Sequence, residues 1–412
     1  MSSVATSLAE PEKLRPSIRK PHVEVPAGYD KPCEFIERDS RLGSAPNSLT
    51  FTTVPFNASD DEPVTECVFF AGSKEVLMDL PGFPGPMMNP TTPVFRLAEA
   101  RDKGFGLFST RDLKAGQLIL SERPLLVSAR GIPVCAPPSF ILAQRRQHTL
   151  NQLEKAVSFS VNHRMRVKDR DGFMALKNSH LHDGSGPVVG IMRTNGLSLE
   201  GLRPGVTDDL KSYNAVCENI SRFNHSCSPN VDVRFDIQSF CYQVFAVRDI
   251  AAGAELTYSY VPIDRSTAQR NESLEPYDFV CTCTACQDPE SDARRASLID
   301  AGPPDVIKWL SSRGPESSNS LFDECSRQIK LMKREGMEST FRYLHVLAAG
   351  FEGCIALGDA SGASGWAAKL WDLLWHWDHL PRNLYLFLDP ASPAHRQHPL
   401  WRKRVDRDRT GS

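Results

Sequence analysis

Asn224-His225-Ser226-Cys227-Ser228-Pro229-Asn230, Glu255-Leu256-Thr257-Tyr258-Ser259-Tyr260 and Cys281-Thr282-Cys283-Thr284-Ala285-Cys286, in that order, decide how this chain is read. The last is the most specific. Cys281, Cys283 and Cys286 crowd too closely for comfortable mutual disulfides, whose Cα separations and dihedral angles are strict. The same spacing suits wrapping around one soft tetrahedral metal ion such as Zn2+. A structural zinc site normally closes with four ligands, so three cysteines ask for a fourth. Cys227 is the candidate, because it lies in the other conspicuous motif. Three unrelated core thiols are the competing reading, and C-x-C-x-x-C spacing is uncommon without a metal.

The Asn-His motif is dense in polar groups yet flanked by apolar segments, and Pro229 with its neighbouring Asn residues favours a loop. Taken alone, His225 fits a general base, a metal ligand or a hydrogen-bonded core histidine. The core role is the default, because imidazole adapts so readily. Neither a Ser-His-Asp set nor paired carboxylates stand out anywhere in the chain.

Bulk properties narrow the class. The chain has 412 residues, 41% hydrophobic and 24% charged, ample for two or three soluble domains. Lys and Arg (48) nearly balance Asp and Glu (50), which leaves no basic field to drive non-specific nucleic-acid binding. No apolar run approaches the roughly 18 residues of a membrane span. The N-terminus lacks a basic-then-apolar signal, so a nuclear or cytoplasmic location is expected. Eleven cysteines, mostly isolated and odd in number, then read as reduced thiols.

Residues 1–93 are rich in proline, serine and acidic groups with weak periodicity, and read as an extended or poorly ordered arm. From Val94 short apolar runs bracketed by turn residues predict strands. Arg111-Asp112-Leu113-Lys114-Ala115-Gly116 and its near copy Arg248-Asp249-Ile250-Ala251-Ala252-Gly253 read as turns between strands. Residues 131–216 look like a polar, irregular insertion, with helix formers at 144–156 and a turn at Asn195-Gly196. Beyond Cys286, Leu344, Leu347, Phe351 and Ile355 recur at helical spacing and stop at Gly358. Trp366, Leu370, Leu373 and Trp377 form a second stripe, so a helical hairpin packed on the main domain is expected. The patch Trp401-Arg402-Lys403-Arg404 reads as a solvated tail, with a nuclear signal as the alternative.

The order and spacing of the three motifs, with Lys103-Gly104-Phe105-Gly106-Leu107-Phe108 upstream, resemble SET-domain protein-lysine methyltransferases. The resemblance covers about 94–290 and is closest to the fungal SET-only relatives of the SET-and-MYND branch. A MYND zinc finger is not expected, since residues 131–216 offer Cys135 and little else of ligand type. Gly104-Phe105-Gly106 lacks the third glycine of a Rossmann fingerprint and leads into a strand pattern. Phe105 stands where the family usually has Arg, and Asp278 where it has Gly.

The resemblance implies an α+β chain. A mainly β SET fold at 94–262, with a pseudoknot loop, would be split into 94–130 and 217–262 by the insertion at 131–216. A post-SET zinc segment at 263–290 and a helical region at 291–412 would follow. It implies that Gly104, Phe105, Gly106, Asn195, Asn224, His225, Tyr260 and Phe279 contact S-adenosylmethionine and that Tyr260 is catalytic. Tyr258 would influence how many methyl groups fit. Zinc would be held by Cys281, Cys283 and Cys286 and closed by Cys227. The expected partner is a protein bearing the target lysine, histone or not, with no membrane or direct nucleic-acid binding and a monomeric chain. The alternative is a catalytically impaired SET-fold interaction module.

Overall fold

The computed structural model describes residues 48–59, 62–133, 136–207, 209–312, 317–373 and 383–410. Three small sheets carry the first half, and helices dominate the second. The first sheet has five strands. Leu49–Val54 (β1) pairs antiparallel with Thr65–Phe70 (β2), and β2 runs parallel to Leu126–Ala129 (β6). Antiparallel Tyr213–Val216 (β8) and Leu197–Leu199 (β7) complete the order β1-β2-β6-β8-β7.

Two expectations change here. The described part of the N-terminal segment, from residue 48, is not a poorly ordered arm, because β1 and β2 form one edge of this sheet. Cys67-Val68-Phe69-Phe70 is wholly buried, the short apolar run of a strand covered on both faces. The prolines and acidic residues around it masked that signal. Residues 1–47, with Pro11, Pro16, Pro21, Pro26 and Pro32 among the prolines that suggested an arm, lie outside the described residues.

The 131–216 segment is likewise not irregular. It holds the 18-residue helix Leu142–Phe159 and the helices Val167–Met174 and Pro187–Asn195, and it supplies β7 and the interior strand β8. Asn195-Gly196 is no turn either. Asn195 ends its helix, and Gly196 is extended (φ −72°, ψ 120°) where an added Cβ would lie 2.6 Å from the Met192 carbonyl oxygen. Close backbone approach, not turn geometry, explains that glycine.

The other sheets frame the motifs. Phe95–Glu99 (β3) and Phe105–Ser109 (β4) form a hairpin, and β4 pairs antiparallel with Glu255–Tyr258 (β12). On its other side β12 runs parallel to the two-residue strand Asn224–His225 (β9). Between them in the chain, Val231–Asp236 (β10) and Cys241–Ala246 (β11) pair with each other, and β11 also with Leu118–Glu122 (β5). The two near-identical turns face one another, Leu113 and Ile250 exchanging backbone hydrogen bonds of 2.8 and 2.9 Å. Their glycines, Gly116 and Gly253, take φ +79° and +81°.

Beyond residue 263 a separate apolar core forms around Leu298, Trp309, Leu321, Leu344, Leu347, Ile355 and Leu370. The expected hairpin is Phe341–Leu357 packed on Ala360–Trp371, with Gly358 at φ +73° ending the first helix. Gly350 admits the Trp366 ring, which would lie 2.6 Å from an added Cβ. Trp377 lies outside the described residues. The basic patch is only partly a solvated tail: Lys403 is exposed, whereas Arg404 is not. Arg404 is buried, stacks over Trp309 and donates to the Trp309 and Ser312 carbonyls at the end of Val306–Ser311. Among the described residues no helix is long and apolar enough to cross a membrane.

Candidate active site and thiol cluster

The parallel pairing of β9 with β12 brings the first two motifs side by side, with Thr257 opposite Asn224 and Tyr258 opposite His225. Asn230 tightens the pairing: its amide donates to the Glu255 carbonyl and its carboxamide oxygen accepts from Thr257 N–H, both at 2.8 Å. The Asn224 amide donates to the Phe105 carbonyl (3.2 Å) and to Glu255 Oε1 (2.8 Å), tying the loop to β4. Glu255 Oε2 pairs with Lys103 at 2.9 Å. Gly106 makes this approach possible, since a Cβ there would sit 2.7 Å from Asn224 Nδ2.

Gly104 adopts φ 75°, ψ −132°, a region open essentially to glycine, and faces open space. Phe105 is exposed. The Gly104-Phe105-Gly106 backbone, Asn224 and Glu255 thus form one polar ledge.

His225 is buried with both ring nitrogens engaged. Nδ1 accepts from Tyr260 N–H at 3.0 Å, which leaves the proton on Nε2, 3.2 Å from Cys227 Sγ. Burial, the leading cause, brings its pKa down to about 4, so the imidazole is neutral near pH 7. Tyr260 donates its hydroxyl to the Phe223 carbonyl at 2.6 Å. Burial raises its pKa, with Tyr277 and Glu255 adding to the effect, so the phenol keeps its proton.

Around Tyr260 stand Tyr258 and Tyr277, with ring centroids 5.1 and 4.9 Å away, and Phe279 edge-on at 6.3 Å. Phe279 also lies 5.9 Å from the His225 ring. Asp278, between Tyr277 and Phe279, adopts φ 62°, ψ 40°, so this position does use the left-handed backbone. Asp tolerates that region better than most residues.

Asn195 is placed differently. Its amide donates to the Lys177 and Ile191 carbonyls at 2.8 Å, within the 131–216 segment. The end of its helix nevertheless approaches the site, because Ser179, bonded to Thr194, donates to the Pro276 carbonyl at 2.7 Å.

Cys227, Cys281, Cys283 and Cys286 converge, all four sulfurs lying within 4.8 Å of one another. Cys227 Sγ is 3.9 Å from Cys281 Sγ and 3.5 Å from Cys286 Sγ, far beyond a disulfide bond. The local fold explains the spacing: Cys283 precedes the short helix Thr284–Gln287, and its carbonyl accepts from Cys286 and Gln287 N–H, which curls the chain back on itself. Arg270, fully buried, points a guanidinium N–H at Cys286 Sγ (3.7 Å). The thiols compete for protons. Hydrogen bonds from the other three hold Cys283 well below the ordinary thiol value, and the same contacts push Cys227 up. Four soft donors sharing one small volume suit a tetrahedral cation.

Sequence reasoning singled out this set apart from Glu255, Asn230 and Tyr277. The first two were visible in the quoted motifs, but only pairing across the sheet reveals their work. Tyr277 shows its role only once residues 277–279 fold back over Tyr260.

Comparison with known proteins agrees with this arrangement. A family model described as SET domain matches residues 104–261. The chain is 27% identical over 212 residues to "Histone-lysine N-methyltransferase set5" of Schizosaccharomyces pombe, covering 51% of this chain and 56% of that protein. It is 25% identical over 214 residues to "N-lysine methyltransferase SMYD2-A" of Xenopus laevis, covering 47% and 48%. A shorter match, 42% over 78 residues, relates it to "Histone-lysine N-methyltransferase SET5" of Meyerozyma guilliermondii, covering 18% and 16%. The chain thus spans about half the length of the first two relatives. With β9 laid against β12 and the matched segment ending one residue past Tyr260, residues 104–261 of the chain are similar to a SET domain.

Proposed function

We propose that this chain transfers a methyl group from S-adenosylmethionine to a lysine of a protein, histone or non-histone. The observation that carries the reading is the contact of Tyr260 with His225, which joins the proposed catalytic tyrosine to the Asn224-His225 loop. Lysine, with pKa about 10.4, must lose its proton before it attacks. Rings at Tyr258, Tyr260, Tyr277 and Phe279 offer the apolar surroundings that make the charged ammonium costly. Tyr260 keeps its proton and directs it to Phe223, which leaves its oxygen lone pairs to accept from the amine. Its role is orientation, worth several kcal/mol when reacting atoms are held in line.

When bound, S-adenosylmethionine supplies an electrophilic methyl group. The residues present fit such a group. Gly104 leaves open space beside a ledge built by Phe105, Gly106 and Asn224, and Phe279 presents a half-buried ring. Because both His225 nitrogens are engaged, its contribution to that pocket would come from the backbone. Asn195 would contribute from the far rim.

Cys227, Cys281, Cys283 and Cys286 fit a structural Zn2+. A tetrahedron with Zn–S near 2.3 Å separates sulfurs by about 3.8 Å, and the 3.5 and 3.9 Å separations lie on either side of that value. We extend the reading to a SET domain at 94–262 carrying the 131–216 insertion, a post-SET segment at 263–290 and a helical region at 291–412. The protein would act as a monomer on nuclear or cytoplasmic proteins.

Calorimetric titration of the zinc-loaded full chain with S-adenosylmethionine tests the enzyme reading. Binding, followed by label transfer in a screen of histones and cell extract, is the expected result. A folded, metal-loaded chain that binds no donor would instead be a non-catalytic interaction module.

A further inference from the structure

The loop at 224–230 is held from behind by residues that belong to none of the three motifs. Arg295, in the helix Ser291–Ala301, is 1% exposed. One terminal nitrogen donates to the Cys227 carbonyl (3.0 Å) and the Glu335 carbonyl (2.7 Å). The other reaches the carbonyl of Ile263, three residues past Tyr260. Its Nε meets the Glu335 carboxylate at 3.2 Å. One guanidinium therefore grips both chain segments that pass each other beside the site. Ser228 adds a 2.8 Å bond to the Glu335 carbonyl, and Gly336 lies so close that its Cβ would fall 2.5 Å from that of Ser228.

A buried ion costs several kcal/mol in lost hydration, so packing alone would favour an apolar side chain here. What Arg uniquely supplies is a rigid fork of donors aimed at separate carbonyls.

We propose that Arg295 is a positioning residue for methyl transfer, fixing the 224–230 loop against the segment after Tyr260. The inference rests on the methyltransferase reading above. Its path is short: Cys227 is held by Arg295, His225 lies two residues away, and His225 accepts from Tyr260 N–H. A small shift in this loop moves both the donor ledge and Tyr260, and misplacement by about 1 Å can lower turnover 100-fold.

The test compares wild-type full chain with Arg295→Lys, which keeps the charge and loses the fork. Metal content, melting temperature, amide exchange of a peptide spanning 224–230, and KM for S-adenosylmethionine and for the protein substrate would be measured. The expected result is full metal content, faster exchange in that peptide, donor KM raised about tenfold and substrate KM unchanged. A purely structural role would reduce the competent fraction and leave donor KM alone, and that outcome overturns the proposal. So does unchanged exchange at 224–230. Should Arg295→Lys fail to fold, Ser228→Ala, which removes a single hydroxyl from the same clamp, must give the same pattern more weakly. Wild-type protein that binds no donor removes the enzyme reading, whereas the exchange comparison still decides whether Arg295 holds the loop.

Discussion

At the scale of single residues the site works through shared atoms. Tyr260 donates its hydroxyl to Phe223 and its backbone N–H to His225, so it is fixed at both ends. Tyr260→Phe is expected to lower methyl transfer at least about 100-fold while donor affinity stays within about threefold, the signature of an interaction made mainly in the transition state. Label-transfer turnover beside calorimetric titration checks it, and unchanged turnover would remove Tyr260 from its assigned role. The variant also strands the Phe223 carbonyl, at a cost of about 1–2 kcal/mol in stability. Gly106 gives a second case. In Gly106→Ala the new methyl meets Asn224 Nδ2 at 2.7 Å and Glu255 Oε1 at 3.1 Å, so Asn224 must swing away. Donor affinity should fall about tenfold, roughly 1.4 kcal/mol. Local spacing pointed to the cysteine triplet, and only the family resemblance pointed to Tyr260 and Asn224; Glu255, Asn230 and Arg295 act on groups far away in sequence, and their own neighbours do not reveal those contacts.

Between elements, what could be read was whatever a segment does by itself. Phe341–Leu357 buries a helical stripe and ends at Gly358, and both features are local. β2 and β8 were missed because each is a short buried strand inside a polar or proline-rich surround, and its pairing with β6 joins parts of the chain far apart in sequence. The cysteine segment lies between these cases. Its spacing predicted a metal, whereas its closing ligand comes from the β9 loop, more than fifty residues earlier. A metal bound there would have a mechanical consequence: it would fasten residues 277–286, which carry Tyr277 and Phe279, to the loop that carries His225. Native protein should contain one zinc per chain by metal analysis. Cys283→Ser should release it, and limited proteolysis should then cut within 277–290. Activity should fall with the metal, because the aromatic wall around Tyr260 loses its anchor. Native protein without zinc would remove the metal assignment.

Across the whole molecule, two apolar cores meet at a line of buried charge. One core is built from the sheets and the 142–195 helices, the other from the helices after residue 290. Between them Glu335 accepts from Ser291, Arg294 and Arg295, while Arg248 joins the Pro229 carbonyl to Glu338. Burial by itself would raise the Glu335 pKa. The Ser291 hydroxyl and the two guanidinium groups outweigh it and hold the carboxyl below its ordinary value of 4.5. A carboxylate with a depressed folded pKa adds stability above its unfolded pKa, and that stability disappears as pH falls through the folded value. Glu335→Gln leaves Arg295 buried without its counter-charge and is expected to cost about 3 kcal/mol at pH 7. The gap between the wild type and Glu335→Gln should therefore be wide at pH 7 and narrow steadily below pH 4.5, as the wild-type carboxyl takes up its own proton. Thermal unfolding of both proteins across that range measures it. A gap that stays constant down to strongly acid pH would mean that the carboxylate charge does not hold the two cores together, and that shape alone makes the junction.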